Sequence, residues 1–221
     1  MDSKVLFEDD VNIINEYLKV HPEDINIVVD HRTPLMHAIL QERVDVIDCL
    51  IQHSCDINFQ NNYGYTGLHY ACCYKNNRDI IERLISNGAS GLLKNNWRCI
   101  PLHFASMHAK DVNIIHQLLF VSDPNSLNFF GKNPLMEACL HNKNIEIISA
   151  LINVTHDINF QDIRGQTALH YCCYFKHYEA IKLLLSFGAD PFIQDNEGRT
   201  TYGLANEEGK RIIDEYLASR N

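Results

Sequence analysis

The chain has 221 residues, 46% hydrophobic and 21% charged, the balance of a globular protein with a buried core. Its 28 acidic residues outnumber 19 basic ones, for a formal net charge of -9, so it lacks the basic footprint that a phosphate-backbone binder needs. No apolar run reaches the ~20 residues of a membrane span.

The N-terminus, "MDSKVLFEDD", has neither the apolar core nor the cleavage pattern of a secretory signal, so none is expected. The eight cysteines are expected to be free, partly buried thiols in a reducing compartment. The 22 asparagines suit a chain with many turns, or an AT-rich genome.

In chain order, "SKVLFE" reads as a short helix and "VNIINEYLKVHPEDIN" as a second helix with its exit. A period then sets in. Thr33-Pro34-Leu35, Thr66-Gly67-Leu68, Ile100-Pro101-Leu102, Asn133-Pro134-Leu135, Thr167-Ala168-Leu169 and Thr200-Thr201-Tyr202 follow at steps of 33, 34, 33, 34 and 33 residues. A fixed period of this size means stacked supersecondary units.

Each unit has the same physical grammar. Thr or Asn stands where a helix N-cap must accept a free backbone N–H. Pro34, Pro101 and Pro134 take the first helical position, where a missing N–H costs nothing. A short helix follows, such as "LHYACCYK", then a polar link, "NNRD" in one unit. A second helix carries Ile80, Ile81, Leu84 and Ile85 on one face. Gly88 and Gly188 are placed to end such helices in a left-handed conformation. Gly64, Gly131, Gly165 and Gly198 stand two residues before the next cap, where a tight turn needs positive φ.

"DINFQ" occurs twice, and 12 of 20 positions are identical between 56–75 and 157–176. The phrase falls between units, so it reads as a joint in a duplicated block of three units rather than a duplicated site. The last segment, "TTYGLANEEGKRIIDEYLASRN", ends in a charged helix, as a terminal repeat with a wet outer face must.

"TGLHYACC", "IPLHFASM" and "TALHYCCY" resemble the T-P-L-H-x-A-A signature of the ankyrin-repeat family, and "LLLSFGADPFIQDNEGRT" resembles its join between units. The resemblance covers nearly the whole chain. It implies an all-α solenoid of stacked helix–turn–helix units joined by short β-hairpin or loop fingers. A single domain of about seven units is expected: 1–27 and 195–221 as caps, with 28–60, 61–94, 95–127, 128–161 and 162–194 between them. It also implies that His69, His103 and His170 hydrogen-bond the preceding Thr and nearby backbone, a structural task.

No catalytic arrangement is legible. There is no P-loop, G-x-S-x-G elbow or H-E-x-x-H. The adjacent pairs Cys72-Cys73 and Cys172-Cys173 lack the usual zinc-ligand spacing and read as small core side chains. No catalytic, metal-binding or cofactor role is expected, so the chain reads as a non-enzyme. Asn26, Asn58 and Asn159 each follow Asp-Ile and match a pattern of hydroxylated asparagines in ankyrin domains; the plainer reading is a turn asparagine bonding backbone.

The resemblance places partner contacts on the concave face, at finger tips and the exposed side of first helices. The tip positions here are Asn62, Tyr63, Tyr65, Asn96, Trp97, Cys99, Phe129, Phe130, Lys132, Ile163, Arg164 and Gln166. The helix positions are Cys73, Tyr74, Met107, His108, Leu140, His141, Tyr174 and Phe175. Such positions should be wet, yet they hold the only Trp and many aromatics, the residues enriched at interface hot spots. Tyr63, Tyr65, Tyr74, Trp97, Met107, His108, Phe129, Phe130, Arg164, Tyr174 and Phe175 are therefore the candidate partner-binding residues.

The middle unit breaks the rules: Arg98 replaces the turn glycine, Ile100 replaces the cap and "FVSDPNS" replaces the glycine exit, while His31 replaces glycine in the second unit. Such breaks mark function or strain. The expected function is a monomeric, cytoplasmic protein-binding module, acting in a host's cytosol if the source is a pathogen, with no nucleic-acid or membrane partner. The alternative is an inhibitor or adaptor that blocks or recruits an enzyme or signalling protein.

Overall fold

A computed structural model of the chain describes residues 3–8, 10–75 and 77–219. Asn76 of the "NNRD" link and the outermost residues of the two end units lie outside the described residues.

Among the described residues the fold is built of helix pairs. The first segment is a 3-10 turn, Ser3–Phe7, rather than a regular helix; α1 (Val11–Val20) and a second 3-10 turn, Pro22–Asn26, follow. The pairs are α2 (Pro34–Leu40) with α3 (Val44–Gln52), α4 (Gly67–Tyr70) with α5 (Arg78–Ser86), and α6 (Pro101–His108) with α7 (Val112–Leu119). Then come α8 (Pro134–His141) with α9 (Ile145–Ile152), α10 (Ala168–Phe175) with α11 (Tyr178–Ser186), and α12 (Thr201–Leu204) with α13 (Glu207–Ala218). First helices stack in order from α2 to α12, and second helices form a row beside them, α5 on α7 on α9 on α11 on α13.

The caps form as the residue types require. Thr33, Thr66, Asn133, Thr167 and Thr200 each accept a backbone N–H of the first turn, a bond worth about 1 kcal/mol. Ile100 has no side-chain acceptor, and α6 starts without one. The core follows the helical period: Ile80, Ile81 and Leu84 of α5 are buried, as are Ile114, Ile115 and Leu118 of α7 and Ile147, Ile148 and Leu151 of α9. Each such side chain contributes about 2 kcal/mol of hydrophobic stabilisation.

Gly64, Gly131, Gly165 and Gly198 take φ of +76°, +71°, +73° and +74°. Where the glycine is missing the backbone does not change: Arg98 sits at +59° and His31 at +64°. A side chain in that region costs about 1–2 kcal/mol, so the broken rule is stored strain.

Two kinds of link join the paired helices from α2–α3 to α10–α11. Fourteen positions separate Thr33 from Ile47 and Thr167 from Ile181, and these links turn through left-handed Glu42 and Lys176. Fifteen separate Thr66 from Ile81, Ile100 from Ile115 and Asn133 from Ile148. The extra residue goes into an extended link after α6 and α8. After α4 it is taken up as a π-turn, Ala71–Lys75, the wider coil that absorbs one added residue. The helix expected over "LHYACCYK" is therefore α-helical only at its start.

The fingers differ from the expected β-hairpins. Only two isolated β-bridges occur among the described residues, Val29 with Arg32 and Gln194 with Thr200. The fingers are instead tight turns, and from the second onward each closes around a buried Asn or Asp side chain.

Candidate functional site

Five of the six fingers, all but the one before Thr33, are organised by a residue five positions before the cap. Asn61 Oδ1 accepts the N–H groups of Tyr63 and Tyr65, both at 3.0 Å. Asn95 does the same for Trp97 and Cys99, Asn128 for Phe130 and Lys132, Asp162 for Arg164 and Gln166, and Asp195 for Glu197 and Arg199. All five are buried. One carboxyl or amide oxygen thus fixes two tip residues in each of these fingers. Successive fingers are tied by one backbone bond each: Asn96 N–H to Tyr63 O, Phe129 N–H to Trp97 O, Ile163 N–H to Phe130 O and Asn196 N–H to Arg164 O.

The histidines pin the first helices to the fingers. His69 Nδ1 accepts Thr66 N–H at 3.1 Å and His69 Nε2 donates to Cys99 O at 3.0 Å. His103 links Ile100 to Lys132 O, and His170 links Thr167 to Arg199 O, by the same two bonds. Both nitrogens of each ring are used and all three rings are buried, which leaves them no catalytic freedom.

On this frame most of the expected site residues stand exposed: Tyr63, Tyr74, Trp97, His108, Phe129, Phe130, Arg164, Tyr174 and Phe175. Met107 is half-buried beside them. Tyr65 is not a free tip. Its ring lies within 5.5–6.1 Å of His69, Tyr70, Trp97 and Phe104, so it packs the finger onto the first helices. Trp97 stacks on Tyr63 at 6.4 Å, and Tyr63 meets His31 at 4.8 Å, a ladder across three fingers.

Three clefts run in a row where fingers meet first helices. The first, of about 320 Å³, holds Tyr63, Tyr65, Tyr74 and Trp97. The second, about 250 Å³, holds Tyr65, Trp97, Met107 and Phe130 and shares Trp97 with the first. The third, about 360 Å³, holds Arg164, Tyr174 and Phe175 and shares Lys132 with the second. The row thus brings together nine of the eleven candidate residues. Phe129 stands outside it, edge-on to Phe130 at 5.8 Å, and so does His108. Phe175 also faces a separate cleft of about 210 Å³ at the turn between α10 and α11.

The second cleft has polar walls that sequence reasoning missed. Glu137 is buried on α8, accepts Asn128 Nδ2 at 2.7 Å and lies 3.5 Å from His141 Nε2. Burial raises its carboxyl pKa, against the pull of Lys132. Burial likewise pushes the Cys99 thiol up to about 12. The signal for the cradle residues that line it, Asn95 and Asn128, was the Asn or Asp recurring five residues before the caps from Thr66 onward.

Asn26, Asn58 and Asn159 act as joints. Their Oδ1 atoms accept N–H groups of Asp56, Ser90 and Asp190 in the next unit. Asn58 and Asn159 also donate to Gly88 O and Gly188 O. In "DINFQ" the glutamine completes the joint: Gln60 and Gln161 each donate to their own finger and to the following one.

Among the described residues no group of three or more His, Cys, Asp or Glu side chains could hold a metal ion. No helix there is long and apolar enough to cross a membrane. Cys72, Cys139 and Cys172 are fully buried core thiols.

A family model described as ankyrin repeats (3 copies) matches residues 4–95 and again 102–211. No curated protein matches the chain. The two matches take in most of the sequence, so the chain belongs to the ankyrin-repeat family, whose members are generally protein–protein interaction modules.

Proposed function

We propose that this ankyrin-repeat chain is a non-enzymatic binding module that grips one partner protein along the row of three clefts, its concave face. The carrying observation is the exposure of large aromatic side chains there: Tyr63 is 43% exposed, Trp97 48% and Phe130 47%. Contiguous exposed aromatic surface is what an interface core uses, and the repeat's own stability gains little from it. The eight free cysteines support a reducing setting such as the cytoplasm.

Affinity capture with three versions of the chain tests this reading. Trp97→Ala should lose the partner that the wild type retains. Phe120→Ser, on an exposed side chain at the end of α7 outside the row, should keep it. A partner lost through Phe120 and kept without Trp97 would move the interface off the clefts.

A further inference from the structure

Four of the five finger cradles share a second feature, and the fifth lacks it. In four, the other side-chain atom of the cradle residue has a partner. Asn61 Nδ2 donates to His31 O and to Tyr70 Oη. Asn128 Nδ2 donates to Glu137, Asp162 Oδ2 accepts from Tyr171 Oη, and Asp195 Oδ2 accepts from Arg199. Asn95 Nδ2 is buried with no hydrogen-bond partner. The cause is legible in the register. The residue four after the cap, Tyr70, Glu137 or Tyr171, partners Asn61, Asn128 and Asp162, while Asp195 uses Arg199 instead; in the Asn95 unit that position is Phe104. Tyr65 lies close enough for the Asn95 amide to act on its phenol, yet no hydrogen bond forms between them.

Asn95 is 4% exposed, so its unmade bond costs about 1–3 kcal/mol. The residue lines the second cleft, together with Trp97, Phe104 and Phe130. One repeat further along, Lys132 and Arg164 line the third cleft. Neither has a carboxylate within ion-pair distance among the described residues, on a chain whose net charge is -9. Lys132 instead lies over the Tyr171 ring at 4.8 Å. The exposed carboxylate nearby, Glu197, is already bound to Arg199.

We propose that the groove takes an extended segment of a partner protein with three features in sequence. An apolar side chain seats among Trp97, Phe104 and Phe130. A carbonyl or hydroxyl oxygen beside it accepts from Asn95 Nδ2. A carboxylate one repeat along meets Lys132 and Arg164. This rests on the concave-face reading and adds the chemistry of the partner. Asn95 Nδ2 has almost no accessible surface in the free chain, so the acceptor meets it as the side chains over it shift, and the amide, already out of water, then gains a hydrogen bond with no further desolvation of its own.

The test is a displayed library of random 12-residue peptides panned on the full chain. Synthetic copies of the enriched peptides are then titrated against wild type and four variants. The enriched set should combine an apolar residue with Asp or Glu. Phe104→Tyr supplies the hydroxyl that Tyr70 and Tyr171 supply elsewhere. It should raise the melting temperature and weaken the peptides about tenfold. Asn95→Asp keeps the cradle, as Asp162 and Asp195 do, but removes the donor, and should weaken them as much. Arg164→Glu should weaken the acidic peptides by at least about tenfold, with loss of their salt dependence.

Peptides that need Trp97 but bind Phe104→Tyr and Asn95→Asp like wild type would overturn the role of Asn95 and leave the concave-face reading standing. Peptides indifferent to Trp97→Ala would overturn both. A library that yields no binder, or binders without acidic residues, would also overturn the proposal.

Discussion

His103 Nε2 donates to the backbone oxygen of Lys132 at 3.1 Å, while its Nδ1 accepts the N–H of Ile100 at 3.2 Å. One neutral imidazole therefore bolts the start of α6 to the next finger. The same ring would have to break the Ile100 bond to take a second proton. Burial opposes that charge as well and pushes the pKa of His103, and of His69, down to about 4.

The consequence is a stability that falls with acid. In the unfolded chain these histidines titrate near 6.5. Below that value unfolding takes up protons, so stability is complete above about pH 6.5 and declines until the folded rings protonate near 4. Each histidine contributes a slope of about 1.4 kcal/mol per pH unit in that window, so His69 and His103 together give nearly twice that. Urea unfolding at pH 7, 6 and 5 reads it directly. A flat midpoint across that range would contradict the buried neutral rings.

The frame was legible in the sequence because caps and turn glycines act through local backbone chemistry. Thr66, Thr167, Gly64 and Gly165 need no knowledge of their neighbours. Arg98 and His31 were legible as broken rules, and their positive φ gives the break its meaning. The cradle residues were not legible as a set. Asn95 or Asp162 in a polar stretch looks wet, and its burial depends on the finger closing over it. Tyr65 misled for the same reason, since its packing on His69 and Phe104 joins residues of two units. The π-turn after α4 required counting the residues between Thr66 and Ile81, not only the caps.

Asn128 and Glu137 should prove mutually dependent. Asn128→Asp keeps the two backbone bonds of the cradle but turns a carboxylate toward Glu137, which Asn128 Nδ2 now contacts at 2.7 Å. Two buried like charges in contact should cost about 2–4 kcal/mol at neutral pH. Glu137→Gln should restore most of the loss in the double variant, since it again pairs a donor with the acceptor. Additive losses in the two single changes would show that the pair is not coupled.

Arg98→Gly should stabilise the fold. The residue sits at φ +59° in a turn whose counterparts are glycines at +71° to +76°. Relief of the left-handed strain gains about 1–2 kcal/mol, and the greater freedom of glycine in the unfolded chain takes back roughly half. A net rise in melting temperature of a few degrees is expected. A fall would mean that the arginine side chain holds the finger in a way its exposure does not suggest.

The cysteines should be slow to react and indifferent to reductant. Cys72, Cys139 and Cys172 are fully buried, and burial pushes the half-buried Cys55 thiol up to about 11. Few thiolates are present at pH 8, so labelling by a thiol reagent should wait on unfolding in urea. A melting temperature that drops by several degrees on reduction would reveal a disulfide and overturn the reading of these residues as core thiols.

Trp97 carries the sharpest test because two roles meet in it. It is 48% exposed, which leaves half its ring for a partner. The other half is engaged: Tyr63 stacks on it at 6.4 Å and Tyr65 meets it edge-on at 6.1 Å. Each such aromatic pair is worth about 0.5–1.5 kcal/mol, less where water reaches the rings. Trp97→Ala should therefore lower stability by about 1 kcal/mol, while a central hot spot would lose about 2–4 kcal/mol of binding, tens-fold or more in affinity. Trp97→Phe separates the two, since it keeps a ring against Tyr63 and Tyr65 but presents less surface to the partner. It should melt close to wild type and still bind several-fold more weakly. If Trp97→Phe and Trp97→Ala both lose stability and both spare affinity, the indole serves the irregular finger around Arg98 and not the interface.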